Sequence, residues 1–288
     1  MMKTIVDVIK ERSVICGISS EDVSFVKSLV NNKCEDKTLF VCEGLWAVEK
    51  LIDRGIEVTH FFYNSEKLDA GKVLEKDIAL IDKMSGYAKK VCAISDKACK
   101  KISDRDGYDE YFIVAKQKKY TLDDLSKFIG NNNNILAIVM DGLEQPGNIG
   151  AILRSFDCAG GDFAIVTNRQ ARITNSRLVR SSLGASFMMP VLEEEIANVQ
   201  NWLVENGFNC VVTDLQAKQS YRDIDYSGRI AIIAGNEHTG ISDSWRRVKN
   251  AKSIIIPMLG SCESLNVGFA STLVSYEAGL RKFGNSKK

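Results

Sequence analysis

Proline, histidine and net charge are all scarce in this chain. Its 288 residues include three prolines and two histidines, His60 and His238, and 38 basic against 37 acidic side chains leave a formal charge of +1. So few imidazoles supply little material for a metal centre, and the eight cysteines, at 16, 34, 42, 92, 99, 158, 210 and 262, contain no C-x-x-C pair. Neither zinc ligation nor a disulfide framework is indicated, and no metal is expected. Most of the cysteines sit in apolar runs such as LFVCEG and NCVVTD, where a reduced thiol behaves as a small hydrophobe. No apolar run approaches the roughly 20 residues that cross a bilayer. The N-terminus, MMKTIVDVIKERS, places charges where a secretion signal needs an apolar core. A cytoplasmic protein without membrane segments is expected.

Near-neutrality excludes a nonspecific polycation, yet the basic residues are unevenly placed. Asn168 to Ser182, NRQARITNSRLVRSS, carries Arg169, Arg172, Arg177 and Arg180 and no acidic residue. It reads either as a phosphate-binding surface or as a solvated helix face.

With 45% hydrophobic and 26% charged residues, the chain has the composition of a globular protein long enough for two domains. The first alternates helix and strand: a helix over Glu21 to Val30, strands at LFVCEG, IEVTHFFYN, VCAIS and YFIVAK, and helices between them. These define an α/β domain over 1–116. KQKKYTLDDLSKFIGNNNN, rich in polar residues and ending in four asparagines, marks a linker over 117–134 that holds a short helix. From 135 to 288 the strands ILAIVMDG, DFAIVTN, FNCVVTD, RIAIIAGNE and SIIIPM alternate with helices. Strands this apolar at every position belong in a parallel sheet covered on both faces, whose ligands sit beyond the strands' carboxyl ends.

Three loops lie at such ends. In DGLEQPGNIGAILRS, Pro146 and Gly147 suggest a turn and Asn148 a helix N-cap, while Arg154, beside the apolar face set by Ile149, Ile152, Leu153 and Phe156, is expected near the same strand-end rim or at a flank of the core. In IIAGNEHTGIS, Gly235 and Gly240 flank Asn236 to Thr239 at a spacing that bends a backbone around a small ligand. No G-x-G-x-x-G occurs there and no G-x-x-x-x-G-K-S/T anywhere, so nicotinamide and P-loop chemistries lack their phosphate cradle. In GSCESLNVGFAS, Ser264 or Asn266 can cap the last helix, but one cap leaves Ser261, Glu263 and the other residue unexplained.

Taken together, PGNIGAILRS, IAIIAGNEHTGIS and IIIPMLGSCESLNV, with LVRSSLGASFMMPV between the first two, resemble the motifs of the SpoU/TrmH class of SPOUT RNA methyltransferases. LFVCEGLWAVEKLI resembles the start of the small ribosomal-protein-like RNA-binding domain that many members carry in front. The resemblance implies a trefoil-knotted parallel-sheet domain, a homodimer, and transfer of a methyl group from S-adenosylmethionine to a ribose 2′-hydroxyl. Ribosomal RNA is the expected substrate; transfer RNA, or a noncatalytic RNA-binding or assembly role, are the alternatives. The same resemblance assigns Arg154, Asn148, Glu237, Ser264 and Asn266 to the catalytic machinery. It gives the donor pocket to Ala234, Gly235, Asn236, Gly240, Ile256, Pro257, Met258, Ser264, Leu265 and Asn266, while the charge pattern makes Arg169, Arg172, Arg177 and Arg180 the expected RNA surface. Because a guanidinium is essentially always protonated, Arg154 is expected to position a phosphate and the hydroxyl, with the phosphate oxygen or Arg154 itself receiving the proton. The departures at Gln145, His238 and Gly268 bear on the subgroup rather than on the reaction.

Overall fold

The computed structural model describes residues 3–103 and 107–284. Its contacts divide the chain into two compact units, Met1–Lys118 with Thr174–Arg180, and Lys119–Ile173 with Ser181–Lys288.

The first unit contains β1 (Ser13–Cys16), β2 (Leu39–Glu43), β3 (Val58–Asn64), β4 (Lys90–Ile94) and β5 (Tyr111–Lys116), in the order β1-β4-β3-β5-β2. The pairs β1–β4 and β4–β3 are parallel, and β5 runs antiparallel to both β3 and β2. The helix Glu21–Val30 begins at Ser20, whose hydroxyl accepts from the Val23 N–H, and buries Val23, Val26, Leu29 and Val30 against one face. β1 has no counterpart in the sequence reading. It is a four-residue edge strand with Val14 and Ile15 exposed, so it lacks a buried apolar repeat.

In the second unit, β6 (Leu136–Asp141), β7 (Phe163–Thr167), β8 (Val191–Glu193), β9 (Asn209–Thr213), β10 (Gln219–Ser220), β11 (Ile230–Ala234) and β12 (Ala251–Ile255) form one sheet, ordered β10-β12-β9-β11-β6-β7-β8. Every pairing is parallel. Residues of β6, β7 and β11 are buried at each position, as strands covered on both faces must be. β8 and β10, with three and two residues, are too short to show periodicity. The helix Leu122–Ile129, inside the expected linker, opens with a Thr121–Asp124 capping box and sends Leu125 and Ile129 into this unit's core.

Three local expectations need correction. The helix after β6 starts at Pro146, so Asn148 sits in its first turn and does not cap it; the N-cap is Gln145, without a side-chain cap bond. Proline's fixed φ suits the first helical position, where its missing N–H costs nothing. The helix through LVRSSLGAS splits into Ser176–Ser182 and Ala185–Met188, because Leu183 and Gly184 take positive φ of 46° and 101°. Of ISDSWRRVKN only the turn Asp243–Arg246 is helical.

Candidate active site

Strands β11, β9 and β12 lie side by side, and the loops beyond their carboxyl ends enclose a cleft of about 430 Å3. Its walls are Thr213–Gln216 after β9, Gly235–Ile241 after β11, Ile254–Ile256 and Met258 on and after β12, and Ser264–Val267 at the entrance to the last helix. Every residue assigned to the donor pocket lines it except Ala234, which ends β11 fully buried, and Pro257, which is exposed.

The β11 loop is closed on itself. Asn236 and Gly240 exchange backbone hydrogen bonds of 2.9 and 3.0 Å, and the Asn236 side-chain oxygen accepts from the N–H groups of His238 and Thr239. A Cβ on Gly235 would stand 2.6 Å from the Gly240 carbonyl carbon and oxygen, so any side chain there forces the loop open. The Asn236 amide also donates to the Gly142 carbonyl at 2.7 Å and to Glu144 at 3.0 Å, tying this loop to the one after β6.

Three of the expected catalytic residues meet across these loops. The Asn148 amide donates to Glu237 Oε1 at 2.9 Å, and the Asn266 amide donates to Asn148 Oδ1 at 3.4 Å. Glu237 Oε2 accepts from the Glu144 backbone N–H at 3.3 Å. Burial alone would push the Glu237 carboxyl up, but the Asn148 amide and the N–H groups of Glu237, Glu144 and Gln145 outweigh it and hold the carboxyl below its ordinary value. Asn266 has two tasks: its Oδ1 accepts from the Gly268 N–H at 2.9 Å and so caps the helix Val267–Phe283, while its amide reaches Asn148. Ser264 lines the cleft and is exposed.

Arg154 stands apart. It is exposed on the Pro146–Cys158 helix, roughly 9 Å along the axis from Asn148, and does not line the cleft. Among the described residues it makes no ion pair. Of the arginines in 168–182, Arg169 is 2.6 Å from Glu193 and Arg180 is 3.1 Å from Glu43, whereas Arg172 and Arg177 are exposed with no ion pair among the described residues.

Two features of the site escaped the sequence reading. Asp141, the last residue of β6 and 2% exposed, accepts from Thr167 Oγ1, Asn168 Nδ2 and Ser242 Oγ at 2.9, 2.7 and 2.6 Å, joining the ends of β6 and β7 to the segment beyond the β11 loop. Asp214, just past β9, accepts from Arg246 Nε at 2.7 Å, and both residues line the cleft. The Arg246 bond is the main reason the Asp214 carboxyl lies below its ordinary range. Asp141 ends an apolar strand and Asp214 follows one directly, positions that the strand-end rule could have singled out.

A parallel sheet with a cleft beyond its carboxyl ends, built from three loops, gives this unit the architecture in which α/β domains bind ligands. Residues 135–276, just under half of the chain, match the family model of the SpoU rRNA Methylase family. The chain is 31% identical over 139 residues to the 23S rRNA (guanosine(2553)-2′-O)-methyltransferase RlmP of Bacillus subtilis, covering 48% of this chain and 56% of that protein. It is 33% identical over 162 residues to the 23S rRNA (uridine(2479)-2′-O)-methyltransferase of Streptomyces viridochromogenes, covering 54% and 56%. In these matches the chain thus spans a little over half the length of the curated relatives. In fold it is similar to an rRNA methyltransferase from Sinorhizobium meliloti, with a TM-score of 0.80 at 22% identity over 93% of this chain and 97% of that one. The AviRb methyltransferase from Streptomyces viridochromogenes in complex with AdoMet gives a TM-score of 0.78 at 23% identity over 90% and 97%.

Proposed function

We propose that this chain is a homodimeric, cytoplasmic RNA methyltransferase that methylates a ribose 2′-hydroxyl of ribosomal RNA with S-adenosylmethionine as donor. The observation that carries the reading is the hydrogen-bonded chain Asn266–Asn148–Glu237 at the cleft, in a domain that matches the SpoU rRNA Methylase family model. The Bacillus subtilis and Streptomyces viridochromogenes relatives are named for 23S rRNA, which supports ribosomal RNA as the substrate.

The cleft suits the donor. Ile254, Ile256 and Leu265 offer an apolar wall for a purine, and the closed Gly235–Gly240 loop leaves backbone groups free of side-chain bulk beside it. When bound, the donor supplies a sulfonium methyl whose carbon–sulfur bond breaks as the carbon–oxygen bond to the ribose forms. The protein's task is then alignment. Glu237 fixes Asn148, and Asn148 and Asn266 hold the loops on either side of the reacting ribose. Arg154 grips the adjacent phosphate and orients the hydroxyl, whose proton passes to a phosphate oxygen. The position of β12 across β9 from β11 supports the knotted path that the resemblance implies, with 257–266 tucked through a loop.

The last helix supports the dimer. Its inner face buries Gly268, Ser271, Val274, Ser275, Ala278 and Gly279. The outer face shows a second apolar stripe: Phe269, Leu273, Tyr276 and Leu280 are 69, 42, 41 and 56% exposed and recur at helical spacing. A second copy laid on this stripe could bring its Arg154 to the cleft from which Arg154 of the same chain is absent. The first unit would hold the RNA and raise its local concentration at the site.

Arg154→Ala tests the assignment. Donor affinity should stay within about twofold by calorimetry, while methyl transfer to ribosomal RNA falls by at least the roughly 100-fold typical of a lost electrostatic contact in the transition state. Equal loss of binding and transfer would contradict the role.

A further inference from the structure

The first unit holds a cluster of side chains that RNA methylation does not use. β1 and β4 pair in parallel with Val14 opposite Cys92 and Cys16 opposite Ile94, so the thiols of Cys16 and Cys92 face the same side of the sheet. The helix Glu21–Val30 covers that side, and its first turn brings Asp22 over both. The two sulfurs and an Asp22 oxygen all lie within 4.8 Å of one another, with Cys16 Sγ 3.5 Å from Asp22 Oδ2. From β3, His60 places Nε2 3.9 Å from Asp22 Oδ1, while its Nδ1 lies 3.0 Å from Thr59 Oγ1.

We propose that Cys16, Cys92 and Asp22 form a binding site for one soft divalent cation, with zinc the best match and solvent as the fourth ligand; His60, on the Oδ1 side of Asp22, lies outside it. Thiolates at about 2.3 Å and a carboxylate oxygen at about 2.0 Å from a tetrahedral zinc stand roughly 3.5 Å apart, the separation already present between Cys16 and Asp22. The spacing of the cysteines along the chain hides the site, because strand pairing rather than a C-x-x-C turn brings them together.

A disulfide fits the same residues poorly. Diagonal neighbours on paired strands have α-carbons roughly 7–8 Å apart, at or beyond the reach of a disulfide, so the two sulfurs can share an ion more easily than a bond. Lys90 is the competitor, since its ammonium lies 2.5 Å from Asp22 Oδ1. It contacts the oxygen that points away from Cys16, and its side chain is 42% exposed, so it can keep that oxygen or swing into solvent. Binding replaces the two thiol protons, which leave to solvent. The ion would staple the edge strand β1 to β4 and to the helix above them.

The test uses the full chain, stripped with chelator and titrated with Co2+ as a spectroscopic stand-in. One equivalent should give thiolate-to-cobalt charge-transfer absorption with tetrahedral visible bands, and Zn2+ should displace it. Cys92→Ala and Asp22→Asn should each weaken Zn2+ binding by more than the roughly 100-fold that losing an outer-shell partner costs. Cys158→Ala, at an exposed cysteine outside the cluster, should change nothing. If Cys92→Ala fails to fold, Asp22→Asn, on the partly exposed first turn of a helix, decides. Absence of thiolate–cobalt absorption at one equivalent overturns the proposal. So does absorption with undiminished affinity in Asp22→Asn, or absorption that disappears in Cys158→Ala.

Discussion

Asn148 shows how a residue type can be legible while its task is not. An asparagine just after Pro-Gly reads as an N-cap from propensity alone. The structure instead gives the start of the helix to Pro146 and turns the Asn148 side chain across to Glu237 and Asn266. Nothing in the local sequence could show this, because the partners lie 89 and 118 residues away. Glu237 carries a pH prediction. Its folded carboxyl titrates below the ordinary value of 4.5, so its stabilising contribution is whole above that value and is lost as the pH falls through the depressed one. Glu237→Gln should cost about 1 kcal/mol at neutral pH, below the roughly 1.5–3 kcal/mol usual for a bond to a charged group because the carboxylate keeps some solvent contact. Urea midpoints of wild type and variant should begin to approach each other below pH 4.5 and meet below the depressed value. A gap that stays constant into acid would mean that the charge of Glu237 contributes nothing to the folded loops.

At the scale of elements, long apolar strands were readable and short ones were not. β6, β7, β9 and β11 announce themselves as runs of buried aliphatics, while β1, β8 and β10 are two to four residues held by their neighbours' hydrogen bonds. The last helix is the most informative element for function, since both its faces are apolar and only the inner one is covered by its own chain. Phe269→Asp on the outer stripe should convert a dimer to a monomer in light scattering and abolish transfer, with the far-ultraviolet spectrum unchanged. A wild-type protein that is monomeric and active at the same concentration would contradict the dimer. The arginine-rich segment divides by its ion pairs. Arg172 and Arg177, free of ion pairs among the described residues, should carry phosphate contacts, and Arg169 and Arg180 less so. Replacing Arg172 and Arg177 by alanine should flatten the log–log salt dependence of RNA binding by about 1.4 for single-stranded contacts. An unchanged slope would remove both from the RNA surface.

For the whole molecule, the α/β class and the presence of two cores follow from the alternating helix and strand patterns, the chain length and the polar segment ending in four asparagines before residue 135. The path of the chain between the cores does not. Thr174–Arg180 belongs with the first unit although its sequence neighbours on both sides belong with the second, and no periodicity marks such an excursion. The three strand-end loops were found from the sequence because glycine, asparagine and serine collect where apolar strands stop. Asp141 and Asp214 were passed over because single acids at a strand's end read as ordinary solvation. What the loops would accomplish together is transfer of one methyl group to one ribose oxygen. The most direct measurement is to incubate the protein with unmodified ribosomal and transfer RNA and methyl-labelled S-adenosylmethionine, then digest the RNA with alkali. A 2′-O-methyl group blocks cleavage at its own linkage, so label in an alkali-resistant dinucleotide from ribosomal RNA is the result expected. Label in mononucleotides, or in neither RNA, would contradict ribose methylation, and a resistant dinucleotide from transfer RNA alone would overturn the substrate.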